Sequence, residues 1–74
     1  MNVEVRLFAS FREGRFQQAR LELEGERTVA GLLADLGIQV PEVGISLVNG
    51  RHAAPEQQLQ DGDVVALFPP IGGG

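Results

Sequence analysis

Residues 28–37 read Thr-Val-Ala-Gly-Leu-Leu-Ala-Asp-Leu-Gly, and they decide the fold because they predict the main helix. The apolar residues 29, 32, 33 and 36 recur at the i, i+3, i+4, i+7 spacing of one helix face. Thr28 is a suitable N-cap, since its hydroxyl can accept a hydrogen bond from the first turn. Gly37 stands where a left-handed C-terminal cap is favoured. The stretch therefore predicts a short amphipathic helix with one apolar stripe to bury.

Two strands are predicted before this helix. Residues 2–8 begin with strict alternation of polar and apolar side chains, which is typical of a half-buried strand. Residues 20–24 alternate in the same way, with Leu21 and Leu23 on one face. The segment Ala9 to Gln18 loses this periodicity, and we interpret it as a loop or a short helical turn.

Two further strands are predicted after the helix. Residues 45–48 are a short apolar run that ends at Asn49-Gly50, a pair that favours a tight hairpin turn. Residues 64–68 form a second apolar run, which Pro69-Pro70 ends because proline cannot extend a ladder of hydrogen bonds. Between the two runs, Leu59 is expected to close the bottom of the core.

The order of these elements is strand, strand, helix, strand, short segment, strand. One helix stripe must be buried against one apolar face of a sheet. A mixed sheet of four to five strands, with the first and last strands adjacent in its middle, satisfies this order. We therefore predict an α+β domain of β-grasp (ubiquitin-like) fold over residues 1–70, with one main helix packed across one face. Residues 71–74 are predicted to be a flexible C-terminal Gly-Gly tail.

Composition argues against several classes of protein. The net charge is −4 over 74 residues, whereas a nucleic-acid-binding protein needs basic residues to neutralise phosphates. The sequence contains no Lys and no Cys, which removes Schiff-base catalysis, disulfides and thiolate metal sites. No stretch approaches the roughly 20 apolar residues of a membrane span, and the alternating residues 1–6 do not resemble a signal peptide. We expect a soluble cytoplasmic protein that binds neither nucleic acid nor membrane.

Conventional catalytic and metal-binding patterns are scarce. His52 follows a hairpin turn and is expected to be exposed rather than catalytic. Asp61 and Asp63 flank Gly62, and turn formation explains them better than paired catalytic carboxylates. Residues 2, 4 and 6 are interpreted as a solvated strand face. No metal site is predicted.

The glycines at positions 72–74 are the informative feature. They follow Pro69-Pro70, which should project them away from the domain. Glycine has no Cβ, so such a segment can thread a narrow active-site channel. Six residues beyond Phe68 extend about 20 Å at roughly 3.3 Å each. A partner enzyme could thus reach the carboxylate of Gly74 while binding the domain itself.

The end of the chain, Phe68-Pro69-Pro70-Ile71-Gly72-Gly73-Gly74, resembles that of the small subunit of molybdopterin synthase, in the MoaD/ThiS-type sulfur-carrier family. The similarity extends over essentially the whole chain, through residues 5–13, 28–33, 48–50 and 61–67. Gly72 departs from the pattern, since the family commonly has Ala or Ser there. Residues 9–18 are also shorter than the helical insertion of many members.

The resemblance implies a carrier rather than an enzyme, with no permanently bound cofactor. A ubiquitin-activating-type enzyme would adenylate Gly74 with ATP and Mg²⁺, and a persulfide sulfur from a donor enzyme would displace AMP to leave a thiocarboxylate. The large subunit of molybdopterin synthase would then direct that sulfur onto a pterin precursor. In this scheme Gly74 carries the sulfur, and Gly73, Gly72 and Ile71 form the threading segment.

Strand parity predicts the surface that partners bind. By analogy with the alternation in the family that the chain resembles, Val65 and Leu67 should face the core, so that residues 64, 66 and 68 face outward. Phe8 and Phe68 would then form one exposed apolar patch beside Pro69 and Pro70, of the kind that often marks a partner site. The alternative is that one of the two rings lies under the loop from Phe11 to Phe16. Arg12 and Arg15 are predicted to be solvated loop charges rather than contacts to partners.

Three other functions stay open. The chain could carry sulfur for thiamine or another pathway, or it could be a ubiquitin-like modifier that is joined to lysines of target proteins. It could also be a β-grasp interaction module whose terminal glycines have no function.

Overall fold

A computed structural model describes residues 1–70 as a five-stranded sheet with one α-helix packed against one face. The elements in chain order are strand β1 (Asn2–Leu7), strand β2 (Gln18–Glu22), helix α1 (Val29–Leu36), strand β3 (Ile45–Val48), strand β4 (Arg51–His52) and strand β5 (Val64–Phe68). Short 3-10 helices lie at Ala9–Arg12 and Val40–Glu42. The predicted α+β, β-grasp architecture is confirmed.

The sheet has the strand order β2-β1-β5-β3-β4. β1 and β5 pair in parallel, with Val5 opposite Val65 and Leu7 opposite Leu67. The other neighbouring strands are antiparallel. Parallel neighbours need a long crossover connection, and the segment that contains α1 provides it. The first and last strands therefore lie side by side, as the order of elements predicts.

The core lies between α1 and one face of this sheet. Leu32 and Leu33 of the helix are almost fully buried, as are the inward-facing residues of β1 and β5. Leu59 closes one end of the core, as expected from the sequence. The core residues are Val3, Val5, Leu7, Phe11, Leu23, Val29, Leu32, Leu33, Ile38, Val48, Leu59, Val65 and Leu67.

Helix α1 begins and ends at the residues that the sequence indicates. The Thr28 side-chain oxygen accepts a hydrogen bond from the Gly31 N–H at 3.1 Å. Gly37 has the left-handed φ of 75°, and its N–H donates to the carbonyls of Leu33 and Ala34. Both predicted caps are therefore confirmed.

The aperiodic segment 9–18 stabilises the far end of α1. Phe11 enters the core, and the Arg15 guanidinium donates to the carbonyl oxygens of Phe11, Leu36 and Gly37 at 3.2, 3.0 and 3.4 Å. The last turn of α1 has no basic residue of its own. Arg15 supplies that positive charge to carbonyls which the helix leaves without partners. Arg15 is exposed, as predicted for a loop charge, and these hydrogen bonds give it a structural role as well.

Candidate partner-binding face and tail root

The face of the sheet opposite α1 carries apolar side chains at its centre. In β5, Val65 and Leu67 are fully buried, whereas Val64, Ala66 and Phe68 are only partly buried. This alternation confirms the predicted strand parity. It also places Phe68 on the side of the sheet that no helix covers among residues 1–70.

Phe8 joins Phe68 at one end of this face. Their rings are stacked, with centroids 4.2 Å apart and planes 9° from parallel. The predicted pairing of the two rings in one patch is confirmed. Both rings are partly buried and neither joins the core, although Arg12 of the loop from Phe11 to Phe16 lies over the Phe8 ring. Phe11 fills that part of the core, and Phe16 packs against it.

Arg12 lies at the edge of the ring pair. Its Nε donates to the Leu7 carbonyl at 2.7 Å, and its guanidinium carbon is 5.3 Å from the centroid of the Phe8 ring. A guanidinium at this distance is attracted by the face of an aromatic ring. Arg12 is therefore held beside the patch by two contacts, although it is exposed, as the prediction of a solvated charge requires.

Strand β3 adds two apolar side chains that sequence reasoning missed. Ile45 pairs opposite Phe68 and Leu47 opposite Ala66, so both lie on the outward face, and both are partly buried. Ser46 instead points to the core side, where its hydroxyl donates to the Ala53 carbonyl at 2.7 Å. Alternation in the sequence would place Ser46 outward and Ile45 and Leu47 inward, so it indicates the opposite of the observed faces. We call this surface the outer apolar face; its residues are Phe8, Ile45, Leu47, Val64, Ala66 and Phe68.

The outer apolar face borders a charged surface on β1. Glu4 lies opposite Val64 and Arg6 opposite Ala66 in the register of β1 with β5. The Arg6 guanidinium donates to the Glu4 carboxylate at 2.6 Å. The predicted solvated face of residues 2, 4 and 6 is confirmed for this pair. The uncovered side of the sheet therefore has a polar half and an apolar half.

The tail root is the segment Pro69-Pro70, which leaves the sheet directly beside the stacked rings. Pro69 is partly buried and Pro70 is exposed. β1 and β5 are parallel, so Phe8 after β1 and Phe68 at the end of β5 reach the same edge of the sheet. The four predicted partner-binding residues thus lie together at one corner. The remaining predicted site residues, Ile71, Gly72, Gly73 and Gly74, lie outside the described residues.

The acidic residues of the last turn have structural roles. The Asp61 carboxylate accepts a hydrogen bond from the Asn2 backbone N–H at 2.7 Å. The Asp63 carboxylate accepts from the Asn49 side-chain amide at 2.9 Å and from the Gln60 backbone N–H at 2.8 Å. The predicted turn-capping role is confirmed for Asp63 through the Gln60 N–H, whereas Asp61 instead bonds to the start of β1. Residues 1–70 contain no group of three or more His, Asp or Glu side chains arranged to hold a metal ion.

A surface depression of about 530 Å³ lies near this turn, away from the tail root. It is open and polar, and Asn49, His52 and Asp63 are among its lining residues. His52 is exposed, as its place after the hairpin turn predicts. The Asn49 side-chain amide donates to the Asp63 carboxylate, which joins the hairpin turn after β3 to the turn before β5.

The pattern of the ThiS family matches residues 5–74, which is nearly the whole chain. The chain belongs to the ThiS family. No curated protein shows significant sequence similarity to it. Within residues 1–70, no helix of this ThiS-family chain has the length and apolar character needed to cross a membrane.

Solved structures of similar sequence share the fold over almost their full length. Small archaeal modifier protein 1 of Haloferax volcanii is 29% identical, with a TM-score of 0.76 and coverage of 95% of this chain and 98% of that chain. Putative molybdopterin converting factor subunit 1 of Pyrococcus furiosus is 28% identical, with a TM-score of 0.78 and coverage of 96% and 99%. Subunit 1 in a complex of subunits 1 and 2 of the Helicobacter pylori molybdopterin-converting factor is 26% identical, with a TM-score of 0.67 and full coverage of both chains.

These similarities place the chain among small ubiquitin-like sulfur carriers. They include a modifier and converting-factor subunits, so they do not select one pathway.

Proposed function

We propose that this ThiS-family chain is the small subunit of a molybdopterin synthase and carries sulfur on its C-terminal glycine. The observation that carries the proposal is the corner where the outer apolar face, the stacked Phe8 and Phe68 rings and the tail root meet. This corner offers a docking surface next to the start of a segment that ends in three glycines. The similarity to converting-factor subunits over their full lengths is consistent with this pathway.

The proposed reaction begins at the carboxylate of Gly74. A carboxylate oxygen attacks the α-phosphate of ATP, held with Mg²⁺ by the activating enzyme, and pyrophosphate leaves. The product is an acyl-adenylate, a mixed anhydride whose carbonyl carbon is electrophilic. A persulfide sulfur of the donor enzyme attacks that carbon and displaces AMP, and a thiol then reduces the resulting acyl disulfide to the thiocarboxylate.

The chain supplies one reactive atom and the surface that presents it. Gly74 holds the sulfur, and Gly73, Gly72 and Ile71 pass through the partner's channel. Phe8, Phe68, Pro69 and Pro70 dock the domain onto the activating enzyme and later onto the synthase large subunit. Catalytic groups come from these partners, and the reactions take place in the cytoplasm.

A reconstituted reaction tests the proposal. The carrier is incubated with the organism's activating enzyme, persulfide donor, ATP, Mg²⁺ and a thiol, and then with the synthase large subunit and the pterin precursor. We expect sulfur to appear in the pterin product, and no transfer from a chain that lacks Gly73 and Gly74. Formation of the thiocarboxylate without transfer to the pterin would contradict the pathway and favour another sulfur acceptor.

The docking role of the outer apolar face is tested by Phe68→Asp. A charge beside Phe8 should abolish activation, because the apolar contact with the enzyme is lost, while the fold is retained. Val40→Asp is a matched control, since Val40 is 41% exposed and lies outside the outer apolar face. If Phe68→Asp is folded and activated as well as Val40→Asp, the outer apolar face is not the docking surface.

The second candidate function is that of a protein modifier, which the similarity to small archaeal modifier protein 1 favours. Its signature would be high-mass conjugates that depend on Gly74. The chain contains no Lys, so a modifier of this sequence would form single conjugates rather than chains through its own lysine side chains. A deletion strain separates the pathways: accumulation of the pterin precursor supports the first proposal, and thiamine auxotrophy supports a thiamine carrier.

A further inference from the structure

Strand β2 forms one edge of the sheet. It pairs with β1 on one side and has no neighbouring strand on the other side within residues 1–70. The strand at the opposite edge, β4, has only two residues, and a very short edge strand offers little to another chain. β2 has five residues and contains no proline. It is therefore the edge of this sheet at which a further strand can add through backbone hydrogen bonds.

The backbone groups of every second residue in β2 point to this edge. The Leu23 N–H donates to the Met1 carbonyl at 2.7 Å, which makes these two residues a hydrogen-bonded pair. Antiparallel strands alternate between pairs that exchange hydrogen bonds and pairs that do not. In the register of β2 with β1, the odd-numbered residues of β2 thus bond to β1. The N–H and C=O groups of residues 18, 20 and 22 are directed to the open edge.

Two side chains of opposite charge lie along the same edge. Arg20 pairs opposite Glu4, on the side of the sheet away from α1, and Glu22 is two residues further on the same side. Both are exposed, and neither belongs to an ion pair within residues 1–70. Leu21, between them, lies opposite the buried Val3 on the helix side. The order of these residues gives β2 a charge pattern that is complementary to itself.

Two antiparallel copies of β2 match when Leu21 lies at their two-fold axis. Arg20 of each copy is then opposite Glu22 of the other, and cross-strand pairs of opposite charge are favourable. These two positions also direct their backbone groups to the edge, so each pair can exchange both hydrogen bonds. A register centred on Arg20 would instead place like charges opposite each other, which is unfavourable. Charged residues on an edge usually oppose pairing, whereas this pattern favours one partner in one register.

We propose that β2 is a self-association surface, at which a second copy of this chain adds its own β2 in antiparallel orientation. The two sheets become one continuous sheet, and a contact of this small size is weak and reversible. The register shifts the second copy towards the Glu22 end of β2. Phe8 lies at the other end, because the Leu7 N–H donates to the Gln17 carbonyl. The outer apolar face thus stays accessible, and the inference does not depend on the proposed function.

Sedimentation equilibrium of the wild type, Arg20→Glu and Glu22→Arg tests the proposal, at protein concentrations up to about 1 mM. The average mass of the wild type should rise from 7.9 kDa towards twice that value. Each single variant has like charges in both cross-strand pairs. Its self-association should weaken at least about tenfold, because two attractive pairs become repulsive.

An equimolar mixture of the two variants tests the register. Position 20 of the Arg20→Glu chain then lies opposite position 22 of the Glu22→Arg chain, and the unsubstituted residues form the second pair. Both pairs again have opposite charges, so the mixture should associate about as strongly as the wild type. Recovery in the mixture also shows that both variants are folded.

Arg51→Glu and Glu56→Arg are matched controls, since they change net charge by the same amounts at exposed positions outside β2. Both should associate like the wild type. A wild type that stays at the mass of one chain throughout the concentration range overturns the proposal. So does equal association of all variants, or a mixture that associates no better than the single variants.

Discussion

Thr28 determines where α1 begins. Its side chain accepts from the Gly31 N–H, which satisfies one of the donors that a helix start leaves without partners. The side chain is partly buried, so water does not fully replace it. Loss of this local hydrogen bond is thus expected to lower the stability of the whole domain.

Thr28→Ala should lower the free energy of unfolding by about 1 kcal/mol. In a domain of this size that corresponds to a fall in Tm of roughly 4–8 °C. Thr28→Ser keeps the hydroxyl and should remain much closer to wild type. Urea unfolding of the three chains measures this, and equal stability of the Ala and Ser variants would contradict the capping role.

The identities of the residues in β3 do not show which of them face the core. Ile45, Leu47 and Val48 are all apolar, so composition does not say which of them face the core. The register with β5 decides it, because a slip of one residue exchanges the two faces of a strand. The outer apolar face is therefore only partly predictable: β1 alternates clearly in sequence, whereas β3 and β5 do not.

At the scale of elements, the last turn of α1 depends on a residue from another element. Arg15 follows the 3-10 helix Ala9–Arg12 and caps the carbonyl end of α1 with two hydrogen bonds, to Leu36 and Gly37. The helix ends were predictable from the residues at its own termini. The Arg15 cap was not predictable, because Arg15 lies 21 residues before Leu36 and 22 residues before Gly37, and no local motif marks such a contact.

Arg15→Gln should lower the free energy of unfolding by about 1 kcal/mol, through loss of charge and hydrogen bonds at the helix C-terminus. Arg51→Gln removes the same charge from an exposed residue that makes no side-chain hydrogen bond within residues 1–70. It should leave stability nearly unchanged. Chemical denaturation of both variants tests the cap, and similar losses in the two would show a general effect of net charge.

The apolar stripe of α1 supplies the other main contact between elements. Leu32 is fully buried and Leu36 only partly. Leu32→Ala should cost about 2–5 kcal/mol, since it removes packing and leaves a cavity. Leu36→Ala should cost clearly less. Comparable losses in thermal unfolding would contradict the predicted orientation of the helix.

The whole molecule explains why the overall fold was predictable. A chain of this length buries only about 60% of its unfolded surface. It has one helix stripe to cover one sheet face, and few arrangements satisfy that requirement. Leu32 and Val65 are therefore predictable as core residues, because burial follows the periodicity of the elements.

Chain length and the periodicity of the elements do not predict the candidate site. Function is expected to depend on the exit of the tail root beside Phe68, where the Gly44 N–H donates to the Phe68 carbonyl at 2.8 Å in a contact between distant backbone segments. No local pattern in the sequence encodes such a contact. The C-terminal motif of the sequence indicates the chemistry to be tested, and the structure shows the surface around the tail root.

The central claim is that Gly74 carries sulfur, and mass spectrometry of the protein from its native cells tests it most directly. Purification without reducing agents or added thiols keeps the modified form. We predict a species heavier by the difference between one sulfur and one oxygen atom, with the change mapped to Gly74. Oxidation of Met1, the sole methionine, adds a nearly equal mass and is separated by fragment mapping. A plain carboxylate on Gly74, persisting when the activating enzyme, the sulfur donor and ATP are supplied, would contradict the account.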